Sequence, residues 1–103
     1  MKFLIFAMME TSKVPEVAQA SDKVWANPPP GVKLLAAYSC QGLAFPNIPP
    51  NTIVTIRAVE TENNEALSAI IYPIAIAGAT MWSVPVLEIP VAGASELETR
   101  LRS

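Results

Sequence analysis

Histidine is absent from this chain of 103 residues, and cysteine occurs only once, as Cys40. Without a histidine there can be no Cys–His pair that generates a reactive thiolate. No phosphate-binding loop and no set of metal ligands is visible, so we expect neither a metal nor a cofactor. A lone cysteine also excludes an internal disulfide, which leaves an oxidising compartment without support.

Charge is scarce as well: 16% of the residues are charged and 51% are hydrophobic. Soluble proteins average roughly 25% charged residues, so the chain has little polar material with which to cover its surface. The seven basic residues are scattered rather than grouped with aromatics. This distribution argues against nucleic acid as a partner.

Long hydrophobic runs are missing too. No stretch approaches the ~18 apolar residues of a spanning helix, and residues 66–87 are interrupted by Pro73, Gly78 and Pro85. We therefore expect no membrane partner and explain the apolar composition by an oligomer. The apolar run after Lys2 is too short and too far from Ala18-Gln19-Ala20 for a signal peptide, so we expect a cytoplasmic location.

The hydrophobic periodicity predicts six main elements. They are a strand at 2–10, a helix at 14–26, strands at 32–43 and 52–60, a helix from Asn63 or Asn64 to Gly78, and a strand at 81–91. Ser12 is the expected N-cap of the first helix, and Pro73 is expected to kink or restart the second. Ser95 is expected to begin a capping box.

This order of elements predicts an α+β protein with the ferredoxin-like βαββαβ fold, a four-stranded antiparallel sheet with two helices on one face. We expect residues 1–103 to form a single domain, with residues 93–103 as a C-terminal tail that forms a short helix. The first strand, 3–9, has no polar side chain on either face. Two helices cover only one face, so a homodimer is expected to cover the other.

The segment 29–38, Pro-Pro-Gly-Val-Lys-Leu-Leu-Ala-Ala-Tyr, and the last strand around Val84-Pro85-Val86-Leu87-Glu88 resemble small proteins of the dimeric α+β barrel superfamily. The chain is similar to uncharacterised stand-alone domains of that group. The resemblance implies two sheets packed face to face, with the last strands exchanging across the dimer. Members include cofactor-free monooxygenases, isomerases and haem enzymes, but the missing histidine excludes a haem held by a proximal histidine.

Four residues are candidates for ligand binding: Tyr38, Arg57, Tyr72 and Trp82. Tyr38 can hold a phenolic or carbonyl ligand, and it is expected to share a strand face with Leu34, Ala36 and Cys40. Arg57 lies inside a predicted strand and needs an acidic partner, for which Glu60 and Glu88 are the candidates, or an anionic ligand. Each of the four can equally serve packing or exposure alone, and Cys40 is expected to be structural.

Three functions remain open. The first is a homodimeric domain that binds a small apolar or aromatic molecule in a cavity between sheet and helices. The second is an enzyme of the cofactor-free monooxygenase or isomerase type, and the third is a structural or interaction subunit with a filled barrel. A cavity of ~300 Å³ or more with convergent polar groups would favour the first two.

Overall fold

Four antiparallel strands form one sheet in a computed structural model, which describes residues 1–89 and 93–103. The elements are β1 (Lys2–Glu10), α1 (Val14–Ala26), β2 (Lys33–Ser39), β3 (Thr52–Glu60), α2 (Asn64–Ile76), β4 (Thr80–Val86) and α3 (Ala94–Arg102). The strand order is β2-β3-β1-β4. This is the ferredoxin-like fold, as the order of elements predicts.

The side chains of the central strand β1 point alternately to the two faces of the sheet. Its odd-numbered side chains, Phe3 to Met9, are buried, whereas Leu4, Phe6 and Met8 on the opposite face are half-buried. The buried side chains pack with residues of α1 and α2, namely Val17, Leu67, Ile70 and Ile74. The helices α1 and α2 therefore cover one face, the helix face, and leave an open face behind.

The helix α1 has the predicted bounds, but its start differs from the prediction. A 3₁₀ turn at Thr11–Lys13 leads directly into the helix, and Lys13 occupies the N-cap position without a side-chain hydrogen bond. The expectation that Ser12 caps α1 is therefore wrong. Ser12 lies inside the 3₁₀ turn and has helical backbone, so it does not adopt the extended backbone of an N-cap residue.

The helix α2 confirms one prediction and corrects another. The Asn63 side chain accepts a hydrogen bond from the backbone N–H of Glu65 at 2.9 Å, as expected of an N-cap. Pro73 was expected to kink or restart the helix, and of these only the restart is wrong, because the helix continues through Pro73 to Ile76. Pro73 and Ala69 are both exposed, so the Ala69 carbonyl that loses its partner lies on the solvent side of the helix.

The predicted ends of two strands are also corrected. The strand β2 ends at Ser39 rather than at Leu43, because the chain turns at Gly42, whose φ is +88°. The strand β4 ends at Val86, so residues 87–89 of its predicted range lie beyond the strand, and residues 90 and 91 lie outside the described residues.

The C-terminal helix α3 is confirmed, but the capping box is wrong. Its N-cap is Gly93, and the first backbone bond runs from the Leu97 N–H to the Gly93 carbonyl at 2.9 Å. Ser95 therefore lies inside the first turn. Glu98 and Arg102, one helical turn apart, form an ion pair at 2.7 Å. Across residues 1–89 and 93–103, none of the helices is both long and apolar enough to span a membrane.

Candidate functional site

A cavity lies between α1 and the helix face of the sheet, and we call it the α1 cavity. Its floor comes from one cross-strand row, in which Ser39 of β2 is opposite Thr55 of β3 and Thr55 is opposite Ala7 of β1. Opposite residues of neighbouring strands share a face, so three small side chains lie side by side. They leave a volume of about 230 Å³ under the helix.

Apolar side chains form most of the remaining wall. These are Met9, Val14, Val17, Ala18, Ile53 and Ile74. The polar lining residues are Ser21 and Asp22 of α1, Thr55 and Arg57 of β3, and Ser39 of β2. Asp22 and Ser39 are exposed, so the cavity opens to solvent between α1 and the edge strand β2. The cavity therefore combines an apolar interior with a polar mouth.

Ser21 occupies a position in the apolar stripe of α1. Its side chain is 5% exposed, and its hydroxyl has no hydrogen-bond partner among the described residues. A buried polar group without a partner costs about 1–3 kcal/mol of stability, and buried polar groups in proteins normally have one. The wall of the cavity therefore contains a buried hydroxyl that lacks a partner among the described residues.

Arg57 is the cation of the α1 cavity, and it lies half-buried with its guanidinium carbon 5.9 Å from the centre of the Trp25 ring. Burial lowers the pKa of Arg57, and the Asp22 carboxylate opposes this shift. The prediction that Glu60 or Glu88 is the acidic partner of Arg57 is wrong. Glu88 binds Lys2 at 2.9 Å instead, and Glu60 lies an odd number of residues from Arg57, on the other face of β3. Within residues 1–89 and 93–103, Arg57 forms no ion pair.

Of the four candidate ligand residues, only Arg57 lines the α1 cavity. Tyr72 is 66% exposed on α2. Tyr38 and Trp82 both lie on the open face, where Tyr38 is opposite Ile56 and Trp82 is opposite Phe6. The structure therefore does not bring the four residues together into one site.

A β-bulge accounts for the surroundings of Tyr38. The register between β2 and β3 shifts between Leu34 and Ala36, so Leu34 is opposite Val59, whereas Ala36 and Tyr38 are opposite Ala58 and Ile56. The expectation that Leu34 shares a face with Tyr38 is wrong, because one extra residue exchanges the two faces of a strand.

The open face carries a cluster of three aromatic rings. The rings of Phe6 and Trp82 stack with centroids 5.2 Å apart and an angle of 4° between their planes, and Phe45 lies 6.0 Å from Phe6. Phe45 belongs to the segment between β2 and β3, which therefore folds over part of this face. Val84 and Tyr38 remain 41% and 63% exposed there, so residues 1–89 and 93–103 leave much of the face uncovered.

A second hollow, of about 730 Å³, lies at the end of β1 and β3. It is larger than the α1 cavity, but it is a groove in the surface lined by exposed residues of turns, Thr11, Ser12, Lys13, Pro49 and Pro50. Ligand sites are enclosed and mostly apolar with a few convergent polar groups. The α1 cavity meets this description better in its mostly apolar lining, although its volume of about 230 Å³ falls short of the ~300 Å³ expected of a ligand site.

Sequence reasoning missed the roles of Ser21, Asp22, Ser39 and Thr55. Ser21 carries a visible signal, since it is a polar residue within the apolar stripe of an amphipathic helix. The other three depend on strand register and helix placement, which periodicity alone does not give. In the described part of the chain, no group of three or more Cys, Asp or Glu side chains is placed to hold a metal ion.

A scan against protein-family models finds no match, and neither does a search of curated proteins. Solved structures do match. The C-terminal domain of MgtC from Mycobacterium tuberculosis is 7% identical with a TM-score of 0.57, covering 81% of this chain and 84% of that one. SnoaB, a cofactor-independent oxygenase from Streptomyces nogalater, is 11% identical with a TM-score of 0.50, covering 87% of this chain and 96% of that one. At these identities the similarity establishes the ferredoxin-like α+β fold.

Proposed function

We propose that the protein is a homodimer that binds a small apolar or aromatic molecule in the α1 cavity. The α1 cavity itself carries the proposal, because an apolar volume of about 230 Å³ meets an unbonded buried hydroxyl and a half-buried cation. A cavity of about 150 Å³ holds benzene, so a single ring with one or two substituents suits the volume. In this proposal residues 1–103 act as one domain, in the cytoplasm.

The open face supports the homodimer. Monomeric proteins rarely expose large contiguous apolar patches, yet the open face presents Tyr38, Phe45 and Val84 beside half-buried aromatic rings. A twofold pair brings the same face of two copies together and covers both at once. We expect such an interface to bury at least ~1,200 Å² in total.

Sedimentation equilibrium at low micromolar concentration tests the dimer. We expect the wild-type protein to sediment as a dimer and Val84→Lys as a monomer, because the new charge would be desolvated in the interface. Ile76→Lys is the matched control, since Ile76 is 82% exposed and lies on α2 rather than on the open face. A monomeric wild-type protein would contradict the homodimer.

An NMR titration with toluene tests the α1 cavity. We expect amide shifts at Val17, Ser21 and Thr55, and we expect Thr55→Leu to abolish them by filling the cavity. Thr52→Leu is the control, because Thr52 lies on the same strand but on the opposite face. Shifts confined to the open face, or no shifts at saturating toluene, would contradict the assignment of the cavity.

An enzyme of the cofactor-free monooxygenase or isomerase type is the second candidate. Asp22 and Arg57 line the same cavity, which pairs a proton acceptor with a cation able to stabilise a developing oxyanion. SnoaB, which shares the fold, is a cofactor-independent oxygenase. Dioxygen uptake with single-ring phenols that is lost in Asp22→Asn would support this candidate, and no uptake by the wild-type protein would count against an oxygenase.

A further inference from the structure

Two polar groups of the α1 cavity lack a partner among the described residues, and both can donate hydrogen bonds. The Ser21 hydroxyl makes no hydrogen bond, and the Arg57 guanidinium enters no ion pair with any residue in the described ranges. Both residues line the same cavity. The wall of the cavity therefore holds a buried neutral donor and a half-buried cationic donor.

These two donors favour a ligand that carries hydrogen-bond acceptor atoms. A guanidinium has five N–H donors and no acceptor atom, and it binds carboxylates through two parallel hydrogen bonds. The hydroxyl oxygen of Ser21 exposes almost no surface, so it can add a third bond to the same group once its side chain rotates toward the cavity. A neutral apolar molecule would leave both groups without a partner in a largely desolvated place.

The position of Arg57 favours this role. Trp25 lies against the guanidinium, with the ring centre 5.9 Å from its central carbon, and a contact of this kind restrains the cation. Asp22 is exposed to water and forms no ion pair with Arg57 within the described ranges. The positive charge is therefore held at the cavity without a direct ion pair, although the Asp22 carboxylate in the same lining weakens its attraction for an anion.

We propose that the ligand is a single-ring organic acid, with its ring in the apolar part of the α1 cavity and its carboxylate on Arg57 and Ser21. The inference rests on the proposed function and narrows it from an apolar molecule to an anionic one. The volume of about 230 Å³ fits one ring, and the partnerless donors fit one carboxylate.

Benzoate, benzamide and toluene separate this inference from the proposed function, because they share one ring and differ in charge and polarity. Binding of each is measured by NMR titration of the wild-type protein. We expect benzoate to bind at least about tenfold more tightly than benzamide, since a hydrogen bond to a charged group is about twice as strong as a neutral one. The shifts are expected at Ser21, Thr55 and Arg57.

Four variants identify the donors. Arg57→Gln is expected to weaken the binding of benzoate at least about tenfold more than the binding of toluene, and Arg57→Lys should restore part of the loss. Ser21→Ala is expected to weaken benzoate a few-fold, which serves as independent support if Arg57→Gln does not fold. Arg100→Gln, on the exposed surface of α3, is the control for loss of a positive charge.

The outcomes are distinguishable. If toluene binds in the cavity but benzoate binds no more tightly than benzamide, the proposed function stands and the anionic ligand is refuted. If benzoate binds with equal affinity to Arg57→Gln and the wild-type protein, the assigned donor is wrong and the inference is overturned. If none of the three compounds shifts the cavity residues, both the inference and the proposed function fail.

Discussion

Replacing Ser21 by alanine should stabilise this protein, although serine occurs there in a buried position of α1. The side chain is 5% exposed and its hydroxyl has no partner in the described part of the chain. Removing an unbonded buried hydroxyl recovers about 1–3 kcal/mol, and alanine adds up to about 0.5 kcal/mol of helix propensity. A small packing loss offsets part of this gain, so we expect a net stabilisation of about 1–2 kcal/mol.

Thermal unfolding followed by circular dichroism measures the effect. For a domain of this size, that gain raises Tm by roughly 5–10 °C. Ser68→Ala on the exposed surface of α2 is the matched control, and it should show only the smaller contribution of helix propensity. If Ser21→Ala has the same Tm as the wild-type protein or a lower one, the hydroxyl is already bonded and the argument for a free donor fails.

Three further substitutions test other parts of the structure by thermal or denaturant unfolding. Asn63→Ala removes the N-cap bond of α2 and should cost about 1 kcal/mol; no loss would mean that the cap does not form in solution. Gly78→Ala should cost about 1–3 kcal/mol, because its φ of +128° is unfavourable for any side chain and the new Cβ meets the Lys13 side chain at 3.1 Å; equal stability would show that the backbone relaxes. Cys40→Ala should cost at most about 1–2 kcal/mol and leave benzoate binding unchanged, since Cys40 is half-buried and lies outside the α1 cavity; loss of binding by folded protein would make Cys40 functional.

The fold was predictable because its main determinants are local. Apolar periodicity gave α1 its bounds, Asn63 marked the start of α2, and the order of elements indicated the ferredoxin-like sheet. The predictions that failed concern helix starts, where the conformation of the neighbouring residues decides which residue is the N-cap. Serine is a common N-cap residue, but Ser12 lies inside a 3₁₀ turn and Ser95 lies inside the first turn of α3.

The candidate site was less predictable, because it depends on which residues of distant strands lie side by side. Nothing in the periodicity of β2 or β3 indicates that Ser39, Thr55 and Ala7 form one row of small side chains. The same limit explains Tyr38, which the bulge after Leu34 separates from its expected neighbour. Arg57 was found from sequence because a cation within an apolar strand is rare enough to require a partner or a ligand.

A crystal of the protein soaked with 4-bromobenzoate tests the central claim most directly, because the anomalous signal of bromine locates the ligand without reference to any assumed site. We predict a bromine peak between α1 and β3, near Val17 and Ile74, with the carboxylate on Arg57 and Ser21. A peak on the open face beside Trp82, or an empty α1 cavity in well-diffracting crystals, would contradict the assignment of this cavity as the ligand site.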